Sequence, residues 1–212
     1  MSYLEKLFDL KNKVVVVTGS NGQLGMQICK AYNAMGSMVI GLDVHPCAKA
    51  SKILTNYYKA DVTQKKQILG VFEKIIKKYK SLDILINNAG ISVFEPFEER
   101  SERNFTKVTD VNLKGVFFCI QAYTDIFDRN KIRKGSIVNL ASLYGVISPD
   151  FRIYTDCKRK NSEVYGATKA GIIQMSRYFG VHLAGRGIRV NAVSPGGIYN
   201  SEHPQGKDFI KN

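Results

Sequence analysis

Four consecutive valines, Val14 to Val17, stand between Lys13 and Thr18 and run directly into Gly19-Ser-Asn-Gly22-Gln-Leu-Gly25. A β-branched run this short reads as a strand, and the glycines behind it turn the chain. Leu24, Ile28, Ala31, Tyr32 and Met35 then recur at helical spacing. Strand, glycine turn and helix in that order are the layout of a dinucleotide-binding first unit. The glycines admit a pyrophosphate close to the backbone, and the helix N-terminus offers free N–H groups and the positive end of its dipole. An ordinary strand-to-helix turn has the same pattern, so the rest of the chain has to weigh in.

It repeats the alternation. Met38-Val-Ile-Gly-Leu42 reads as a second strand with Asp43 at its end, and Tyr57-Tyr-Lys-Ala60 as a third, ending at Asp61-Val62. Ile68, Val71, Phe72, Ile75, Ile76 and Tyr79 follow the helical period. Leu82 to Ile86 is a fourth strand that breaks at Asn87-Asn88-Ala89-Gly90. From Asn104 to Asn130 the apolar residues lie on more than one helical face, which predicts burial in the core or at a subunit interface. Gly135 to Ala141 is a fifth strand delivering Ser142, and Ile188 to Val193 a sixth, closing on Ser194-Pro195-Gly196-Gly197. Strands alternating with helices predict a doubly wound parallel sheet in one α/β domain, with helices on both faces.

Composition narrows the partners. With 212 residues, 44% hydrophobic and 23% charged, the chain suits one soluble domain. No apolar run reaches membrane-spanning length, and the acid-bearing N-terminus does not read as a signal peptide, so a cytoplasmic protein is expected. Cys29, Cys47, Cys119 and Cys157 are scattered, which predicts reduced thiols with neither disulfide nor metal site. The net charge of +13 is spread over the chain without a basic arm or nucleic-acid signature, so neither nucleic acid nor membrane is an expected partner; the charge suits an anionic small molecule. Asp43 can accept hydrogen bonds from the adenosine ribose and would repel a 2′-phosphate, and no arginine follows closely, which favours NAD over NADP.

Tyr165-Gly-Ala-Thr-Lys169 supplies candidate chemistry. Residues four apart share a helical face. A fixed ammonium beside a phenol can lower its pKa from about 10 and make it a general acid/base.

With Asn112 after Val111, Ser142, and Asn191 ahead of Pro195-Gly196, these pieces resemble the short-chain dehydrogenase/reductase family from Lys13 onward. The stretches Tyr144 to Asp150, Arg177 to Phe179 and Ser194 to Ile198 are similar, more narrowly, to bacterial members linked to flagellin glycosylation and nonulosonic-acid sugar synthesis. The resemblance implies a Rossmann-like fold and hydride transfer between NAD and a hydroxyl or carbonyl carbon of a sugar or sugar derivative. It implies that Tyr165 exchanges the proton, Lys169 lowers the tyrosine pKa and holds the nicotinamide ribose, Ser142 positions the reacting oxygen, and Asn112 supports a relay water. It places Gly19, Asn21, Gln23, Leu24, Asp43, Asp61, Val62, Asn88, Ala89, Gly90, Tyr165, Lys169, Pro195, Gly196 and Ile198 around the cofactor, and implies a homodimer or homotetramer.

The chain departs from the family pattern in several places. Gln23 stands where members of this length carry Gly or Ala, and the spacing is similar to longer sugar-nucleotide-modifying members. Asn200 replaces a cofactor-binding threonine, and the interval from Ser142 to Tyr165 is longer than usual. A substrate-covering segment and a seventh strand would be expected beyond Asn212, so the chain reads as C-terminally incomplete. The loop from Pro149 to Asn161, with Arg152, Lys158, Arg159 and Lys160, could grip an anionic substrate or could be solvated surface. Two other readings stand beside the oxidoreductase: an inactive dinucleotide-binding sensor or scaffold, and a nucleotide-sugar epimerase or dehydratase.

Overall fold

The valine run becomes the centre of a sheet. In the computed structural model, which describes residues 9–46, 53–153 and 161–199, β1 (Val14–Thr18) lies between β2 (Met38–Asp43) and β4 (Ile84–Asn87). With β3 (Asn56–Lys59), β5 (Gly135–Leu140) and β6 (Ile188–Val193) the strand order is β3-β2-β1-β4-β5-β6, and every pairing is parallel. Successive valines point to opposite faces. Val14 and Val16 join one core with Ile40, Leu85 and Ile137, whereas Val15 and Val17 join another with Cys29, Val39 and Ile86.

Helices cover both faces. In α1 (Gln23–Ala34) the buried positions are Gly25 and Cys29. The stripe expected from periodicity is displaced: Leu24, Ile28 and Tyr32 are half-buried, and Ala31 and Met35 are exposed. The helix leans on its smallest residue, because Gly25 lets it approach the strand end closely. Helix α2 (Lys65–Tyr79) buries Ile68, Val71, Phe72 and Ile75 as its period requires; each contributes roughly 1.5–3 kcal/mol of apolar burial.

The long apolar segment after Asn104 is not one uniform helix. It consists of α3 (Glu102–Thr109), a π-helical turn at Asp110–Lys114, and α4 (Gly115–Arg129). The inserted residue rotates everything after it by about 100°, which is why its apolar residues fall on more than one face of an ideal wheel. Asn112 sits in that turn, fully buried. Helix α5 (Glu163–His182) carries Tyr165 and Lys169 and packs beside β5 and β6.

No helix among the described residues is long and apolar enough to cross a membrane. Cys29 and Cys119 are buried, and burial pushes the Cys119 thiol up to about 12. Cys47 and Cys157 lie outside the described residues.

Candidate active site

All six strands end on one edge of the sheet, and the order reverses between β1 and β4. Open α/β sheets bind ligands in the crevice at such a reversal. A cleft of about 1290 Å³ opens there, reaching from Asp43 and His45 at one end to Ser142 and Tyr165 at the other. It exceeds the usual small-ligand pocket of roughly 300–1,000 Å³, leaving room for an elongated ligand and a second molecule together.

Two turns interlock at its floor. Gly19 has φ +63°, and a Cβ on it would lie 2.8 Å from the Ala89 Cα. Thr18 Oγ1 accepts hydrogen bonds from the backbone N–H groups of Asn88 and Ala89, each at 3.0 Å. In return, Asn88 Nδ2 donates to the carbonyls of Thr18 and Gly19 at 3.0 Å. A Cβ on Gly25 would stand 2.1 Å from the Gly19 oxygen. The glycine turn is thus drawn against the start of α1 as a pyrophosphate cradle needs. Thr18 organises both turns, and only its place just ahead of Gly19 hinted at that in the sequence.

At one end, Asp43 is held ready. Its Oδ2 accepts from Asn21 N at 3.0 Å and its Oδ1 from His45 N at 3.1 Å, leaving lone pairs on both oxygens for ribose hydroxyls. Tyr57 donates its hydroxyl to the carbonyls of Asp43 and His45, and Asn21 Nδ2 donates to His45 O at 2.8 Å. Asn21 Oδ1 is buried without a hydrogen-bond partner. Asp61 spends Oδ1 on the backbone N–H and hydroxyl of Thr63.

At the other end, Ser142 and Tyr165 both line the cleft, and Ser142 accepts from Tyr144 N at 3.2 Å. Lys169 Nζ donates to Leu140 O at 2.6 Å and lies 5.4 Å from the Tyr165 ring centre. The expected depression of the tyrosine pKa is not what this arrangement gives. Burial pushes Tyr165 above its ordinary value, and the Ser142 hydrogen bond pulls only partly the other way. Burial also lowers Lys169 to about 8. Desolvation disfavours both charged forms, and the ammonium faces the Leu140 carbonyl before it faces the phenol.

Most of the expected residues line this cleft: Gly19, Asn21, Leu24, Asp43, Asp61, Val62, Asn88, Ala89, Gly90, Ser142, Tyr165, Lys169, Pro195, Gly196 and Ile198. Gln23 and Asn112 do not. Gln23 Nε2 reaches over to Tyr199 O at 2.6 Å, tying α1 to the segment after β6. Asn112 sits behind Gly90, with Nδ2 bonded to Ile91 O at 2.9 Å and Thr168 Oγ1 at 3.2 Å, and Oδ1 accepting from Ile91 N at 2.8 Å. With both amide hydrogens committed, any water it supports must use a remaining oxygen lone pair. Arg152 turns its guanidinium onto Asp150, at 2.7 Å, and is not among the cleft residues. Lys158, Arg159, Lys160 and Asn200 lie outside the described residues. Sequence reading missed Ile91, Phe94, Arg103, Leu143, Tyr144 and Asn161 in the cleft wall; they belong to irregular segments or helix edges with no periodic signal.

A sheet reversal, an interlocked glycine cradle and a Ser–Tyr–Lys group with Ser142 and Lys169 buried define an oxidoreductase of the nucleotide-dependent kind. Comparison with known proteins agrees: the model of the family described as short chain dehydrogenase matches residues 13–207, and the chain belongs to that family, whose members act on CH–OH and carbonyl carbons. A short-chain dehydrogenase from Leptospira borgpetersenii, solved with bound NAD⁺, is 38% identical with a TM-score of 0.89, covering 100% of this chain and 79% of that one. The 3-oxoacyl-[acyl-carrier-protein] reductase of Thermotoga maritima is 36% identical over 197 residues, spanning 89% of this chain and 75% of the relative. Galactitol 2-dehydrogenase of Agrobacterium fabrum is 32% identical over 208 residues, 92% and 73% respectively.

Proposed function

We propose that the protein moves a hydride between NAD and a hydroxyl or carbonyl carbon of a sugar or sugar derivative. The observation that carries this reading is Ser142 and Tyr165 together at one end of a cleft whose other end presents the preorganised Asp43 carboxylate. The bound dinucleotide would supply the hydride donor or acceptor. Tyr165 gives its phenolic proton to the carbonyl oxygen on reduction and takes one from the hydroxyl on oxidation, while Ser142 holds that same oxygen. Because burial keeps the phenol protonated near neutral pH, it is set to donate. Lys169, charged below about 8, is the nearby cation that stabilises the phenolate left behind, and it would hold the nicotinamide ribose. Asn112 fixes the helix that carries Lys169 through Thr168. The cradle of Gly19, Gly25 and Asn88 would hold the pyrophosphate, with Leu24, Asp61, Val62, Pro195, Gly196 and Ile198 around the remainder.

NAD is expected over NADP. A 2′-phosphate would meet Asp43 at contact distance, costing on the order of 1–3 kcal/mol, or about tenfold to a hundredfold in affinity. Fluorescence titration of NADH and NADPH tests this, and equal or tighter NADPH binding refutes it. The sugar assignment draws on the galactitol-oxidising relative and on the likeness of residues 144–150, 177–179 and 194–198 to flagellin-glycosylation and nonulosonic-acid enzymes. It is tested by following NADH absorbance over polyols, aldoses and acidic sugars. Reduction of an acetoacetyl thioester with no sugar turned over would place the substrate in the acyl class instead.

A homodimer or homotetramer belongs to the same proposal. Phe117, Tyr178 and Val181 are 38%, 60% and 82% exposed. Phe117 and Phe179 approach to 6.3 Å between ring centres, so α4 and α5 present one apolar patch. Light scattering at micromolar concentration should return at least twice the chain mass. A monodisperse monomer would remove the assembly from the proposal.

A further inference from the structure

The wall of the cleft between β4 and α3 has no regular structure of its own: residues 91–96 are neither helix nor strand. Asn112 pins its first residue, Ile91, through two hydrogen bonds. The other end is gathered by Arg100, whose side chain is only 7% exposed. Arginine has five N–H donors, and each has an acceptor here. One NH1 hydrogen goes to Val93 O at 3.3 Å and the other to Glu95 Oε2 at 3.2 Å; NH2 donates to Glu95 O at 3.0 Å. The last two bonds leave the loop altogether, from Nε to Glu163 Oε1 at 2.9 Å and from NH2 to Glu163 Oε2 at 3.5 Å. Glu163 lies in the first turn of α5, half a turn before Tyr165. Glu95 is itself braced by Ser101 N and Asn104 Nδ2.

We propose that Arg100 is a positioning residue for the reaction: it locks the 91–96 wall, which brings Phe94 into the cleft, to the helix turn that presents Tyr165. This inference rests on the oxidoreductase reading for its kinetic consequence and on geometry alone for the lock. Lysine keeps the charge but cannot span four acceptor groups with a planar fork, so Arg100→Lys isolates the geometry. Glu163→Gln weakens the tie to α5 while preserving shape.

Amide hydrogen exchange on the unliganded protein comes first. In both variants, exchange at Ile91 and Ser101, whose N–H groups bond the Asn112 and Glu95 side chains, should rise about tenfold or more, while β1 and β2 keep wild-type protection. Unchanged exchange at both amides, or a rise spread evenly over the sheet, overturns the lock. Steady-state kinetics follow with galactitol and NAD⁺. The galactitol KM should rise about tenfold with the NAD⁺ KM held within about twofold. A fall in activity with both KM values unchanged is what a merely structural residue gives, and it overturns the positioning role. Should the wild-type protein leave galactitol untouched, the sugar or polyol it turns over best takes its place; if it turns over none, the sugar assignment fails by itself and the exchange comparison decides the lock.

Discussion

Tyr165→Phe is expected to lower turnover by about 10²–10⁴-fold and leave NADH affinity within about twofold of wild type. The substitution removes one oxygen and retains the ring. Tyr165 lines the cleft together with Ser142, and that oxygen is the only polar atom of its side chain. Most groups expected to hold the nucleotide lie at the β1, β2, β4 and β6 ends, and none of these depends on the phenol oxygen. Turnover is measured on the substrate that the wild-type protein oxidises best in the sugar and polyol panel, with binding followed by NADH fluorescence. Retention of more than about a tenth of wild-type kcat would show that another group exchanges the proton. Loss of NADH binding would show that the phenolic oxygen itself helps to hold the nucleotide.

The second large effect is expected at Gly25. A methyl group there would stand 2.1 Å from the Gly19 carbonyl oxygen and 2.9 Å from Asn88 Nδ2. The first is main chain, and Asn88 holds that same oxygen from the β4 side, so no side-chain rotation relieves the clash. Gly25→Ala must either push α1 outward or open the Gly19 turn. Overpacking of this kind costs about 1–3 kcal/mol of stability. Since the displaced atoms form the cradle, NADH affinity should fall at least about tenfold. Gly70 is the control: an added Cβ meets nothing within 4 Å, and Gly70→Ala inside α2 should be neutral or stabilising. Equal NADH binding by Gly25→Ala and wild type would falsify the cradle assignment.

Much of this was legible before any coordinates. Every strand was located to within about two residues, because short β-branched runs bounded by Gly, Asn and Asp have few other uses. The placing of Asp43, Asn88 and Ser142 in one cleft followed from the same fact: parallel strands end on one edge, so residues at strand ends converge. Where periodicity failed, it failed for a local reason. In α1 the helix packs on Gly25, which has no side chain and makes no mark in a hydrophobic pattern. In the Asn104–Asn130 segment a π-turn shifts the phase midway, and a single-phase helical wheel cannot represent that.

What the sequence determined by itself is the sheet, its switch point, and the identity of the groups that gather there, since these depend on residue type and order along the chain. The tertiary structure decided how those groups are held and charged. Lys169 four residues after Tyr165 suggested an ammonium that lowers a phenol pKa; burial instead raises the phenol and lowers the amine, because desolvation depends on surroundings contributed by β5 and the β4 loop. Arg152, one of four cations in a suggestive loop, is held by Asp150. Arg100, unremarkable among the charges of a basic chain, proves to be buried and fully bonded between the cleft wall and α5. Arg100 and Glu163 are far apart in sequence, and no local pattern encodes a contact made only when two segments pack; the fold has to form before either charge has its partner.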